Sequence, residues 1–139
     1  MAAAVGQIEA VTRCNTHFRH VLFTAPHSQL AVMCLQPGER LSGGSHTGAF
    51  RYFRVESGEA RFVFEDTQEE RLVRGGERLL VPRGGAHHVR NASATAPLKL
   101  YSIISPPTFA DLTLHRTQAD ADAAARADVG LGARFTPVE

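Results

Sequence analysis

From Phe18 to Ile104 the chain is written in short apolar or alternating runs, each cut off by glycine or proline, and this rhythm constrains the fold more than any other feature. An amphipathic helix must hold its 3.6-residue period for about three turns, and an interior glycine or proline costs roughly 1 to 3 kcal/mol. No helix of ordinary length fits this region. Extended runs do fit, and the predicted strands are Phe18–Thr24, Gln29–Leu35, Arg51–Ser57, Glu59–Phe64, Glu70–Val73, Arg78–Val81, His87–Asn91 and Leu98–Ser105. Pro37-Gly38, Ser57-Gly58, Gly75-Gly76 and Gly84-Gly85 supply the backbone freedom of tight turns, and Asp66-Thr67-Gln68 suits a hairpin tip. The pattern is that of an all-β sandwich or barrel of six to eight strands.

Successive side chains of a strand point to opposite faces, so alternation also sorts inside from outside. In Arg51–Ser57, Phe53 and Val55 share the apolar, inward face, and Arg51 falls on that same side. Tyr52, Arg54 and Glu56 share the outward face. The composition changes after Ser105-Pro106-Pro107, and residues 117–128 read as a short alanine-rich C-terminal α-helix. Thr117 is the expected N-cap, with Asp120 in the first turn and Gly130 beyond the end. The helix should pack lightly through alanine, and the tail after Gly130 is expected to be mobile. All 139 residues are expected to form one domain, with the barrel core at 18–105.

Charge excludes one class of partner. Fifteen basic and 14 acidic side chains leave a formal +1, and Arg51, Arg54, Arg61, Arg71 and Arg74 are scattered along strand faces rather than gathered into a phosphate-tracking stripe. Neither nucleic acid nor a membrane is an expected partner. Cys14 and Cys34 lack any metal or redox spacing and read as small packing residues. No leader-like or bilayer-length apolar run is present, so a soluble, intracellular (cytoplasmic) protein is expected. His17, His20 and His27 have no ligand spacing and read as polar strand and turn positions.

The segment Gly76 to Asn91 fits G-x5-P-x-G-x2-H-x3-N at every defined position, through Gly76, Pro82, Gly84, His87 and Asn91. A related pattern, G-x5-H-x-H-x4-E-x6-G, runs from Gly38 to Gly58 with His46 as its second histidine, but Gly44 replaces the first histidine and Arg51 the glutamate. These are the two motifs of the cupins. The chain resembles small single-domain cupins of the cupin 2, or mannose-6-phosphate isomerase-like, group from about residue 14 to 125, including Phe18–Thr24, Leu35–Glu39, Phe53–Glu59 and the segment that begins at His115. The resemblance implies an RmlC-like double-stranded β-helix, or jelly-roll barrel, and a homodimer paired through an N-terminal strand and a sheet face. It also implies a glutamate at the position of Gly44 and a glutamine at that of Arg51, from which this chain departs.

A cupin metal site offers three or four protein ligands to iron, manganese, zinc or nickel. Here Gly44 has no donor, and a guanidinium stays protonated and cannot ligate. The leading expectation is therefore a degenerate cupin with no cofactor. His46, Arg51 and His87 would form a pocket for a small anion, with a structural or interaction role as the bland form of the same reading. A salt bridge from Arg51 to Glu39, Glu56 or Glu59 is the simpler account of that arginine. The alternative is a metal-dependent enzyme, a dioxygenase or isomerase, in which His46 and His87 hold a divalent ion with His115 as a possible third ligand. Alternation turns His88 outward, away from any such site. A metal-free lyase or epimerase would need an acid beside a histidine, and the motifs supply none.

Overall fold

The computed structural model describes residues 5–42 and 48–131. Strand alternation and turn chemistry act where the sequence places them: all eight expected strands form, and no end differs by more than one residue. They are β1 (Arg19–Thr24), β2 (Gln29–Leu35), β4 (Phe50–Ser57), β5 (Glu59–Phe64), β6 (Glu69–Arg74), β7 (Arg78–Val81), β8 (His87–Asn91) and β9 (Leu98–Ser105). Two very short strands, β3 (Arg40–Ser42) and β10 (Leu114–His115), bring the total among the described residues to ten, above the expected six to eight. They extend the sheets at their edges. The order is β10-β1-β2-β9-β4-β7 in one sheet and β3-β8-β5-β6 in the other, and every pairing is antiparallel.

The two inner faces share one core. Val21, Ala31, Met33, Phe53, Val55 and Leu100 from the six-stranded sheet meet Leu41, Ala60, Phe62, Val73 and Val89 from the other. Asn91 closes the seam, because its amide donates to the Leu35 and Ala96 carbonyls, both at 2.9 Å. That motif residue is a structural tie.

Two helices flank the sheets. The helix α1 (Ile8–Cys14) was not expected from the sequence; seven residues are too short to display a period. It packs against β2, β4 and β9. The outward-facing Lys99 ammonium donates to the carbonyl of Asn15 at its end, which places the helix outside the barrel. Cys14 lies exposed there rather than packed, while Cys34 is buried as expected. Glu56 also departs from its outward assignment. A bulge between Val55 and Ser57 breaks the alternation against β9, so Val55 and Glu56 are both buried, and Arg54 Nε donates to the Glu56 carboxylate at 3.2 Å.

The helix α2 (Gln118–Leu131) begins as read, with the Asp120 amide donating to the Thr117 hydroxyl at 3.1 Å. It continues through Gly130 instead of ending before it. Ala121 enters the core, and the Gln118 side-chain carbonyl accepts the Arg40 amide at 2.8 Å.

Gly58 joins β4 to β5 at φ +91°, and a Cβ there would lie 2.6 Å from the Pro97 carbonyl oxygen. Gly38 has nearly the same dihedral, φ +87°, but open space around it. A side chain at positive φ costs about 1 to 2 kcal/mol. Gly58→Ala adds a backbone clash to that cost, so urea unfolding should show it losing at least about 1 kcal/mol more than Gly38→Ala. Equal losses would show that the approach of Pro97 does not constrain the turn.

Candidate functional site

The inward face of β4 carries Arg51 where its parity puts it. Arg51 is only 5% exposed, paired in register with Val81 on β7 and Ile104 on β9, both buried. Desolvation holds its pKa below the ordinary guanidinium value. Among the acidic residues nearby in sequence, the Glu56 carboxylate accepts from Arg54 at 3.2 Å, that of Glu59 from Arg74 at 3.3 Å, and that of Glu39 from the Gln36 amide at 2.8 Å.

His87 opens β8 after the turn made by Pro82 and by Gly84 at φ +88°. The ring is 2% exposed and sits among Phe53, Phe62 and Phe64, with centroids 5.8, 6.3 and 6.1 Å away. Its Nδ1 lies 2.8 Å from the Gly85 carbonyl oxygen, which can only accept. The neutral ring therefore carries its proton on Nδ1, leaving Nε2 as an acceptor. Burial lowers the His87 pKa; the hydrogen bond to Gly85 opposes this, and the Arg51 charge adds to the lowering.

A second arginine, absent from the sequence reading, stands half-buried on the same inner sheet face. Arg19 on β1 stands in register with buried Met33, which pairs with buried Leu100 and that with buried Val55. The Arg19 guanidinium lies 4.3 Å from the centre of the Phe109 ring and 5.7 Å from that of Phe18. Desolvation, then the charge of Arg51, brings its pKa down to about 10, with Asp122 of α2 opposing them. Gln29 fixes Phe109 in place: its Nε2 donates to the Phe109 carbonyl at 2.8 Å, and its Oε1 accepts the Phe109 amide at 3.1 Å. The signal for Arg19 was in the sequence. Arg19, Val21 and Phe23 alternate as Arg51, Phe53 and Val55 do, but Phe18 and Leu22 make the opposite face equally apolar.

His115 on β10 sits across from Arg19, and its Nδ1 lies 3.1 Å from Arg19 Nη1. A guanidinium only donates, so His115 Nδ1 is the acceptor and its neutral ring carries the proton on Nε2. The nitrogen facing Arg19 is thus occupied rather than open to a cation. His88 points outward as expected, with Nδ1 3.7 Å from the Glu65 carboxylate. It lines a surface groove of about 510 Å³ with Arg40, Ser42, Val63, Glu65 and Gln68. His17 and His20 contact each other edge to face at 6.0 Å, and His27 is exposed in a turn. His46 and Gly44, with the Gly43-Gly44 connection, lie outside the described residues. Among the described residues, no three or more His, Cys, Asp or Glu side chains form a group that could hold a metal ion. No described helix is long and apolar enough to cross a membrane.

Two antiparallel sheets folded around such an interior define a double-stranded β-helix, and comparison with known proteins agrees. A profile of the cupin domain, Cupin_2, matches residues 31–104. The chain belongs to the cupin family. It is 36% identical over 124 residues to "Uncharacterized protein YrkC" of Bacillus subtilis strain 168, covering 86% of this chain and 66% of that protein. It is 32% identical over 103 residues to "Uncharacterized protein L612" of Acanthamoeba polyphaga mimivirus, covering 73% of this chain and 64% of that one. The chain thus spans a little under two thirds of the length of both. The crystal structure of BH2720 from Bacillus halodurans superposes with a TM-score of 0.83 at 35% identity, over 88% of this chain and 95% of the other.

The depressed His87 pKa has a stability consequence of defined sign. Below the ordinary histidine value of 6.5 the unfolded chain takes up a proton that the folded ring resists. Stability therefore falls with pH from that point by up to about 1.4 kcal/mol per unit, until the folded ring also protonates. Urea unfolding between pH 7.5 and 5.5 should show this loss in the wild type and a smaller one in His87→Phe. Equal slopes would mean that His87 titrates alike in both states.

Proposed function

We propose that this cupin binds a small anion, a carboxylate, phosphate or sulfate, inside its barrel and does so without a resident divalent ion. The observation that carries this reading is the buried guanidinium of Arg51, whose charge reaches both His87 and Arg19. Apolar walls lower the local dielectric and strengthen a charge-assisted hydrogen bond to an anion. The same charge repels a cation. The described residues do not fit iron, manganese, zinc or nickel: His87 offers one nitrogen, the inward position on β4 carries a cation, and the Nδ1 of His115 accepts from Arg19. His46 lies outside the described residues and carries none of this reading.

Sulfate is the simplest probe. It should raise the thermal midpoint of the full chain above that in chloride at matched ionic strength, and Arg51→Gln should weaken sulfate binding at least tenfold, about 1.4 kcal/mol. Protein exposed to iron, manganese, nickel and zinc and then desalted should retain far less than one ion per chain. Stoichiometric metal would overturn the reading.

The homodimer implied by the family also has a supporting surface. Leu80 and Ile103, 55% and 38% exposed, flank Tyr52 in one register row on the outer face of the six-stranded sheet. A second copy on that face would bury them. Sedimentation should give a dimer for the wild type and a monomer for the Leu80→Glu, Ile103→Glu double variant; a monomeric wild type would contradict this.

A further inference from the structure

Strand pairing gathers arginines that the sequence keeps far apart. On the outer face of the four-stranded sheet, Arg40 of β3 lies opposite Arg90 of β8, and Arg90 lies opposite Arg61 of β5. Neighbouring strands are about 4.8 Å apart, so three exposed arginines rise from a single row. Like charges placed directly opposite destabilise a sheet. Arg61 is offset by the Glu70 carboxylate at 3.0 Å, and Arg74, one row further on, by that of Glu59 at 3.3 Å. The side chains of Arg40 and Arg90 make no hydrogen bond or ion pair among the described residues.

A groove of about 510 Å³ leads away from this row. Arg40 lines one end, Ser42, His88 and Val63 form the next register row, and Glu65 and Gln68 line the other end. Its volume is that of a small-molecule site. Its two ends are opposite in charge. Glu65 continues the outward line of Arg61 and Val63, and its exposed carboxylate lies 3.7 Å from His88 Nδ1, beyond hydrogen-bonding distance.

Each end selects a chemical group. Two guanidiniums side by side offer a fan of N–H donors to a phosphate, and a dianionic monoester matches both charges where a diester matches one. The Glu65 carboxylate accepts from an ammonium. One exposed ion pair contributes little, but a ligand held at one end presents its other end at high effective concentration. The run of positive charge without an acidic partner stops at two arginines, too short to track a nucleic-acid backbone.

We infer that this outer groove binds a small phosphate monoester that carries an ammonium group, with the phosphate on Arg40 and Arg90 and the ammonium on Glu65. The site is separate from the barrel interior and does not rest on the anion reading made there.

Nuclear magnetic resonance titration of the full chain with O-phosphoethanolamine, inorganic phosphate and glycerophosphoethanolamine tests this. O-phosphoethanolamine should shift the backbone amides of Arg40, His88 and Arg90. It should bind at least about tenfold tighter than inorganic phosphate, which lacks the ammonium, or glycerophosphoethanolamine, which is a diester. The Arg40→Gln, Arg90→Gln double variant should weaken it at least about tenfold, and Glu65→Gln should lower its affinity to that of inorganic phosphate. All three side chains are exposed, so the fold does not depend on them. Either comparison probe binding as tightly as O-phosphoethanolamine, or a double variant that binds like the wild type, overturns the inference. Shifts confined to the amides of Arg51 and His87 overturn it too and leave the interior anion reading standing. So does the absence of any shift at the outer amides, and the wild-type titration alone decides that.

Discussion

Everything distinctive about this barrel depends on a guanidinium held inside it. Removing an ion from water costs several kcal/mol even after relaxation, and arginine bears that cost better than lysine because its charge is delocalised and weakly hydrated. Strand geometry makes the placement hard to escape. Arg51, Phe53 and Val55 alternate on one face, so a one-residue slip that freed Arg51 would also expose two members of the core. The packing that stabilises the sheet therefore also fixes the charge.

Around that charge the interior has a built-in polarity. Arg51 and Arg19 can only donate, whereas His87, committed to Gly85 through Nδ1, is left with an acceptor at Nε2. In a metal-binding cupin the same imidazole would be a ligand oriented by its backbone hydrogen bond. On the proposed anion reading, the positive charge at position 51 is what turns the interior away from that chemistry.

Much of this was legible in the sequence, for reasons that differ by element. The eight longer strands showed themselves because period-two alternation and turn residues agree there, and Arg51 and His87 were assigned inward on parity and motif spacing. β3 and β10, three and two residues long, are shorter than any period they could display, and α1 has only seven residues. Glu56 was misassigned because a bulge is a property of pairing with β9 rather than of local sequence. Arg19 stayed hidden because both faces of β1 are apolar, and its contact with His115 joins residues 96 apart. That contact exists only once β10 folds beside β1.

The central claim is that the interior near Arg51 attracts anions and excludes divalent cations. A crystal structure of the full chain grown in selenate, with anomalous data collected at the selenium edge and at the edges of iron, manganese, nickel and zinc, tests it most directly. The account predicts a selenium peak about 4 Å from the Arg51 guanidinium, with selenate oxygens within hydrogen-bonding distance of it. A well-ordered metal ion on His87, with Arg51 turned out to solvent, would contradict it.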